Sequence, residues 1–254
     1  MKLTSLNRWK AAGIHLCLSG LIATTVVVFM LLLWYPPPYF NLMGGQGLLK
    51  ILVGVDVVLG PLLTLIIFNP QKKGLKFDLS VIAALQIAAL AYGVWVMFEA
   101  RPVYTAFAID RFEIVSAKDL DQVDLDAGAP EYRELSLAGP RVVGIRYPDK
   151  DKNVEEWNKL VFIGAAGKDA PQFPKYYVPY AEITADVLRK AKPLASLVAA
   201  KPGSKAAVDA FVAGTGRTLN DFVYVPVSGR DTAMTAVLEA RDARIAKFLP
   251  IDPE

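Results

Sequence analysis

Leu48-Leu49-Lys50-Ile51-Leu52-Val53-Gly54-Val55-Asp56-Val57-Val58-Leu59-Gly60-Pro61-Leu62-Leu63-Thr64-Leu65-Ile66-Ile67-Phe68 holds two ionisable side chains, Lys50 near its start and Asp56 inside it. At 1.5 Å per residue, a helix of about 20 residues crosses the roughly 30 Å hydrocarbon core of a bilayer. Backbone N–H and C=O groups in lipid need internal partners, so the run is read as a helix. Apolar runs at residues 14–35 and 79–98 flank it. The expected architecture is a membrane protein: a three-helix transmembrane bundle over residues 1–98, spanning at about 14–35, 48–68 and 79–98, then an α+β extracytoplasmic domain over residues 99–254.

Composition and charge support this division. Of 254 residues, 54% are hydrophobic, and the mean hydropathy of +0.34 is too high for an ordinary soluble protein. Residues 1–98 carry 7 basic and 2 acidic side chains, which leaves 21 basic and 23 acidic in residues 99–254. The second half is near neutral and offers no basic patch for nucleic acid. Lys2, Arg8 and Lys10 precede the first run, and Lys72, Lys73 and Lys76 fill the loop between the second and third, whereas loop 36–47 is uncharged. Basic residues are retained in the cytoplasm, so the amino terminus is expected inside and everything after Phe98 outside. The first run is longer than the roughly 7–15 residues of a signal core, and Trp34, Tyr35 and residues 36–38 stand where small cleavage-site residues would be needed. It reads as an uncleaved anchor.

Each span offers one small or polar face. His15, Ser19 and Ala23 recur at helical spacing in the first. In the second, Asp56, Gly60 and Thr64 share a face; an intramembrane aspartate costs about 2.5–3.5 kcal/mol at the bilayer centre and should face protein or water, while Gly60 permits close helix approach. Pro61 should kink this helix by freeing the carbonyl of Val57. In the third, Gln86, Ala89 and Gly93 share a face, and Asp78 is expected to cap the helix. Convergence of the three faces would let Asp56 and Gln86 satisfy each other. Trp34, Tyr35, Tyr39 and Phe40 are expected to form an aromatic belt at the outer interface.

Beyond Arg101-Pro102 the pattern becomes strand-like over 104–115, around a polar Asp110-Arg111 pair. A short acidic helix is expected over 116–125, a strand over 142–147, and a helix over 149–162 with Trp157, Leu160 and Val161 inward. Then follow a loop over 164–179 packing through Phe173, Tyr176 and Tyr177, helices over 180–191 and 204–213, and a closing meander of strands 222–227, 232–240 and 245–251. Asp119, Asp121, Asp124 and Asp126 lack the spacing, central glycine and terminal glutamate of a calcium loop. Gly164-Ala165-Ala166-Gly167-Lys168 lacks the length and the Ser/Thr of a phosphate loop.

His15 is the only histidine and Cys17 the only cysteine, and both lie in the first span. The outer half therefore cannot build a Ser-His-Asp or Cys-His catalytic group, a histidine metal site or a disulfide framework. No catalytic residue, cofactor or metal ligand is expected. A binding or positioning module fits best.

Gly54-Val55-Asp56-Val57-Val58-Leu59-Gly60-Pro61-Leu62-Leu63-Thr64, with Arg101-Pro102-Val103-Tyr104 and Asp110-Arg111-Phe112 after the third span, resembles the TfpX/TfpZ type IV pilin accessory proteins, most strongly over residues 1–118. The resemblance implies a non-enzymatic inner-membrane factor, with the major type IV pilin as partner and the pilus assembly platform as a second one. On this reading the partner-binding residues are Asp56, Gly60, Thr64, Gln86, Ala89 and Gly93, set in membrane lipid. Two other classes remain open: a proton-responsive sensor or small transporter subunit using Asp56, and a pilin-modifying enzyme.

Overall fold

Proline placement sets where the membrane helices break. The structure, a computed structural model, describes residues 7–230 and 232–253, the side chains of Leu48 and Leu52 excepted; Lys2 and Asp231 lie outside the described residues. Three helices are long and apolar enough to cross a membrane: Arg8–Trp34, Gly45–Ile67 and Leu75–Glu99. In the first, α1 (Arg8–Phe29) is capped by Asn7, whose side chain accepts from Lys10 N at 2.8 Å. It ends in a π-helical turn, Met30–Trp34, where Tyr35 N donates to Met30 O at 2.8 Å, just before Pro36 stops the ladder.

After the short α2 (Tyr39–Leu42), the second membrane helix runs as α3 (Gly45–Val53), a π-helical turn Gly54–Leu59, and α4 (Gly60–Ile67). The π turn changes which carbonyl Pro61 leaves free. Gly60 N bonds Val55 O, five residues back; in that ladder the carbonyl facing the missing N–H of Pro61 is that of Asp56, and not that of Val57 as α-helical counting gives. The third membrane helix, α5 (Leu75–Glu99), begins one turn earlier than the sequence pattern predicts. Gly74 occupies the cap position, and Asp78 lies in the first turn, paired with Lys72 at 2.5 Å.

The rest of the chain is a mixed eight-stranded sheet flanked by short helices. The apolar run predicted as one strand is a hairpin, β1 (Pro102–Ala108) and β2 (Arg111–Ser116), turning at Ile109 (φ 60°) and Asp110. The acidic segment is a single 3₁₀ turn, Ala117–Asp119, boxed between Ser116 and Asp119, followed by α6 (Gln122–Ala127). Next come β3 (Arg141–Ile145) and α7 (Val154–Ala165). On α7, Leu160 is buried, Trp157 half-buried and Val161 exposed; Ile163 takes the inward place expected of Val161, because the buried face centres on Leu160, three residues from both Trp157 and Ile163, and Val161 is turned about 100° away from it. Phe173, Tyr176 and Tyr177 are buried as predicted, and β4 (Tyr177–Pro179) follows. Beyond α8 (Thr184–Lys190), β5 (Lys192–Pro193), α9 (Leu194–Ala200) and α10 (Lys205–Thr215), the chain closes in an antiparallel meander, β6 (Phe222–Ser228), β7 (Ala233–Glu239) and β8 (Ile245–Leu249).

The strand order is β4-β3-β1-β2-β6-β7-β8, with β5 also on β6; the β1–β3 and β2–β6 pairs are parallel. Parallel β2–β6 pairing joins the first hairpin to the meander, so one sheet carries both. Its core contains two residues from loop 36–47. Leu42 is fully buried, and Tyr39 packs with it among Phe112, Val225, Val227 and Leu238. Tyr39 accepts a hydrogen bond from Thr105 Oγ1 at 3.0 Å, and Tyr35 donates to Met97 O at 2.7 Å. The belt expected at the lipid interface is therefore mostly internal, with only Trp34 and Phe40 left half-exposed. Hydroxyl-bearing rings find fixed hydrogen-bond partners and apolar packing here, Tyr35 as donor and Tyr39 as acceptor.

Candidate functional site

The buried faces of the three membrane helices meet on the second. On α1, Ala11, Ser19 and Ala23 are buried and His15 half-buried, a stripe with a four-residue step. On the second helix, Asp56, Gly60 and Thr64 are buried. His15 Nδ1 and Thr64 Oγ1 lie 2.6 Å apart and tie the first two helices together. From α5, Gln86 Nε2 donates to the main-chain oxygen of Asp56 at 3.1 Å, filling the carbonyl left by Pro61. The Gln86 amide lies directly over Gly60, where any Cβ would collide with it. A larger residue there would have to push aside the Gln86 amide, the flexible end of its side chain, and with it the bond to the Asp56 carbonyl.

This arrangement differs from a carboxylate–amide pair. Gln86 serves the backbone of Asp56, and the Asp56 side chain, 7% exposed, has no hydrogen-bond partner at Oδ1. Asp56 lines a cavity of about 160 Å³ between α1 and α5, with its Oδ1 itself buried. Leu18, Ser19 and Ile22 form one wall; Ala83, Gln86 and Ile87 form the other. Leu18 and Ile87 are largely exposed on the lipid side. The result is an apolar groove whose polar lining residues are His15, Ser19, Asp56 and Gln86. An unpaired polar atom in such surroundings costs free energy until a donor reaches it.

Of the six residues singled out in the sequence, Asp56, Gly60, Thr64 and Gln86 come together here. Ala89 and Gly93 are half-buried further along α5, outside the cavity wall. His15 and Ser19, which the sequence offers with Ala23 as the small or polar face of the first span and not among the partner-binding residues, both line the groove; their four-residue step from Ala11 is the available signal. The outer-domain aspartates have structural partners: Asp121 and Asp124 both pair with Lys168, Asp119 caps Ser116, and Asp126 accepts from Gln122. Hydrogen bonds from the backbone of Asp124 and from Lys168 hold the Asp121 carboxyl below its ordinary range. Among the described residues, no cluster of histidine, cysteine or carboxylates has the makings of a metal site.

α1 and the loop that plugs the sheet also fall in the segment that a family model matches. The family described as fimbrial assembly protein FimB matches residues 4–44. Two fimbrial assembly proteins of Dichelobacter nodosus, of serogroups I and E1, are each 34% identical over 188 residues, covering 73% of this chain and 72% of theirs. The chain belongs to the FimB family of fimbrial assembly proteins. A third relative, the fimbrial assembly protein of serogroups C1 and C2 of the same organism, is 40% identical over 113 residues, 44% of this chain and 86% of that one. No solved structure matches. In this FimB-family chain, three apolar helices with a lateral groove are joined to a mixed sheet whose core holds Tyr39 and Leu42 of the loop between the first two helices.

Proposed function

We propose that this protein is a non-catalytic inner-membrane factor that supports type IV pilus assembly or surface display by holding the membrane helix of the major pilin. The observation that carries this reading is the groove between α1 and α5, lined by Asp56, whose buried Oδ1 has no hydrogen-bond partner among the described residues. A groove lined by Leu18, Ile22 and Ile87 matches the apolar side of a second helix, and in lipid such helices associate by close packing and a few buried polar contacts. The relatives' printed names, all fimbrial assembly proteins, support the process. The likeness to TfpX/TfpZ accessory proteins supports the pilin as partner, with the assembly platform second. The positive charges at Arg8, Lys10, Lys72, Lys73 and Lys76 favour a cytoplasmic amino terminus and a periplasmic sheet domain.

A pilin helix with a glutamate near its start would set a second carboxyl close to Asp56, and the two would repel unless they share a proton. Asp56→Asn keeps the shape and a hydrogen-bonding group, whereas Asp56→Leu removes both. At equal protein level, the reading predicts fewer pili per cell for Asp56→Leu than for Asp56→Asn. Unchanged piliation in both variants would remove Asp56 from the mechanism.

A further inference from the structure

A second cavity, of about 590 Å³, lies where the membrane bundle meets the sheet domain. Its lower wall is the last turns of α5, Trp95, Val96 and Glu99; its roof holds Lys118 and Arg230, and Met43, Gly44 and Gly47 close one side. An adjoining chamber of about 250 Å³ shares Met43, Lys118 and Arg230 and extends to Glu113 and Ser228. The two cations are held there by the fold. Arg230 N donates to Leu42 O at 2.8 Å, and the preceding Gly229 packs so closely on the Leu42 backbone that a Cβ would collide with it. Lys118 sits in the 3₁₀ turn fixed by the Ser116–Asp119 box, and Ala117 N donates to Arg101 O at 2.9 Å. Among the described residues neither Lys118 nor Arg230 has an ion-pair partner.

We propose that this cavity seats the phosphodiester headgroup of a membrane phospholipid, with Lys118 and Arg230 as its cationic donors and Trp95 and Val96 against the glycerol and upper acyl chains. A guanidinium and an ammonium converging on one space match phosphate oxygens. An indole on the last turns of a membrane helix lies at headgroup depth. Basic pockets at the ends of membrane helices are suited to lipid heads. Free phosphate offers the same oxygens, but Glu99, Glu113 and Asp119 lie on the same walls. They offset the two cations, so a free dianion gains little, while a lipid monoanion also buries its chains against Trp95.

The test uses full-length protein in detergent with defined phosphatidylethanolamine or phosphatidylglycerol, read as lipid retained in native mass spectra. Wild type should retain lipid, and Lys118→Gln/Arg230→Gln should lose at least about tenfold in retention, as expected when two charge-assisted contacts are removed. Lys73→Gln/Lys76→Gln, at the other end of the bundle, should match wild type. Equal retention by the Lys118/Arg230 variant, or displacement of lipid by millimolar inorganic phosphate, overturns the proposal. A measurement on wild type alone guards against misfolding of the variant. A phospholipid bearing a photoreactive group beside its phosphate should label peptides containing Trp95 and Lys118, and labelling spread evenly over the bundle overturns the proposal as well.

Discussion

The membrane bundle and the sheet domain bury their side chains on different terms. In the most apolar 18-residue windows of the three membrane helices only 17%, 24% and 11% of residues are buried inside the protein, whereas all seven residues of β1 are buried. In water, burial is the driving force for folding, and the strands of the sheet domain supply most of its buried apolar residues. In lipid it is not, because hydrocarbon tails solvate leucine as well as protein does. The few positions the bundle does bury, such as Ser19, Asp56, Gly60 and Thr64, are therefore the informative ones. Loop 36–47 belongs to the membrane half by sequence, yet it is packed like the sheet domain, with Leu42 fully buried.

The largest expected effect tests that assignment. Leu42→Ala leaves a cavity in the sheet core and should cost about 2–5 kcal/mol, whereas Leu85→Ala, on a lipid-exposed face, should stay within about 0.5 kcal/mol. Thermal unfolding in detergent, followed by hydrogen exchange in β6 and β7, compares the two directly. Equal effects would erase the distinction between the loop and the lipid-facing surface. Smaller is Tyr39→Phe, which keeps the ring and removes the oxygen that accepts from Thr105. Its cost should be about 1 kcal/mol.

The smallest effect is pH-dependent. Burial, with Asp169 and Asp110 nearby and only Arg111 opposing, pushes the Glu113 carboxyl above its ordinary range. The folded state therefore binds this proton more tightly than the unfolded chain does. The stability it contributes is full below the unfolded value and is lost as pH rises through the folded one. Glu113→Gln should thus raise the melting temperature slightly at neutral pH and leave it unchanged in acid. A gain that persists in acid would show that the carboxyl is not destabilised by its surroundings.

Much of this was legible in the sequence. The three spans follow from run length, and β6 to β8 from alternation and turn residues. Asp56, Gly60 and Thr64 follow from a four-residue step. The seam was not legible, because Tyr39 and Leu42 in a proline- and glycine-rich loop look the same whether they face headgroups or a sheet. Their partners, Thr105 and Arg230, are about 66 and 188 residues away in the chain. Pro61 announced a broken ladder but not its register; only the π turn shows that the free carbonyl belongs to Asp56 and that Gln86 is spent on it. That left the Asp56 side chain open, which no spacing rule foretells.

The most direct measurement places a photoreactive amino acid at Leu18 or Ile87, on the two walls of the groove, and at Ile66, an exposed position of α4 that does not line it. In cells making pili, the account predicts adducts with the major pilin from Leu18 and Ile87 and none from Ile66. Adducts from all three at equal yield, or from none, would contradict a groove that holds the pilin helix.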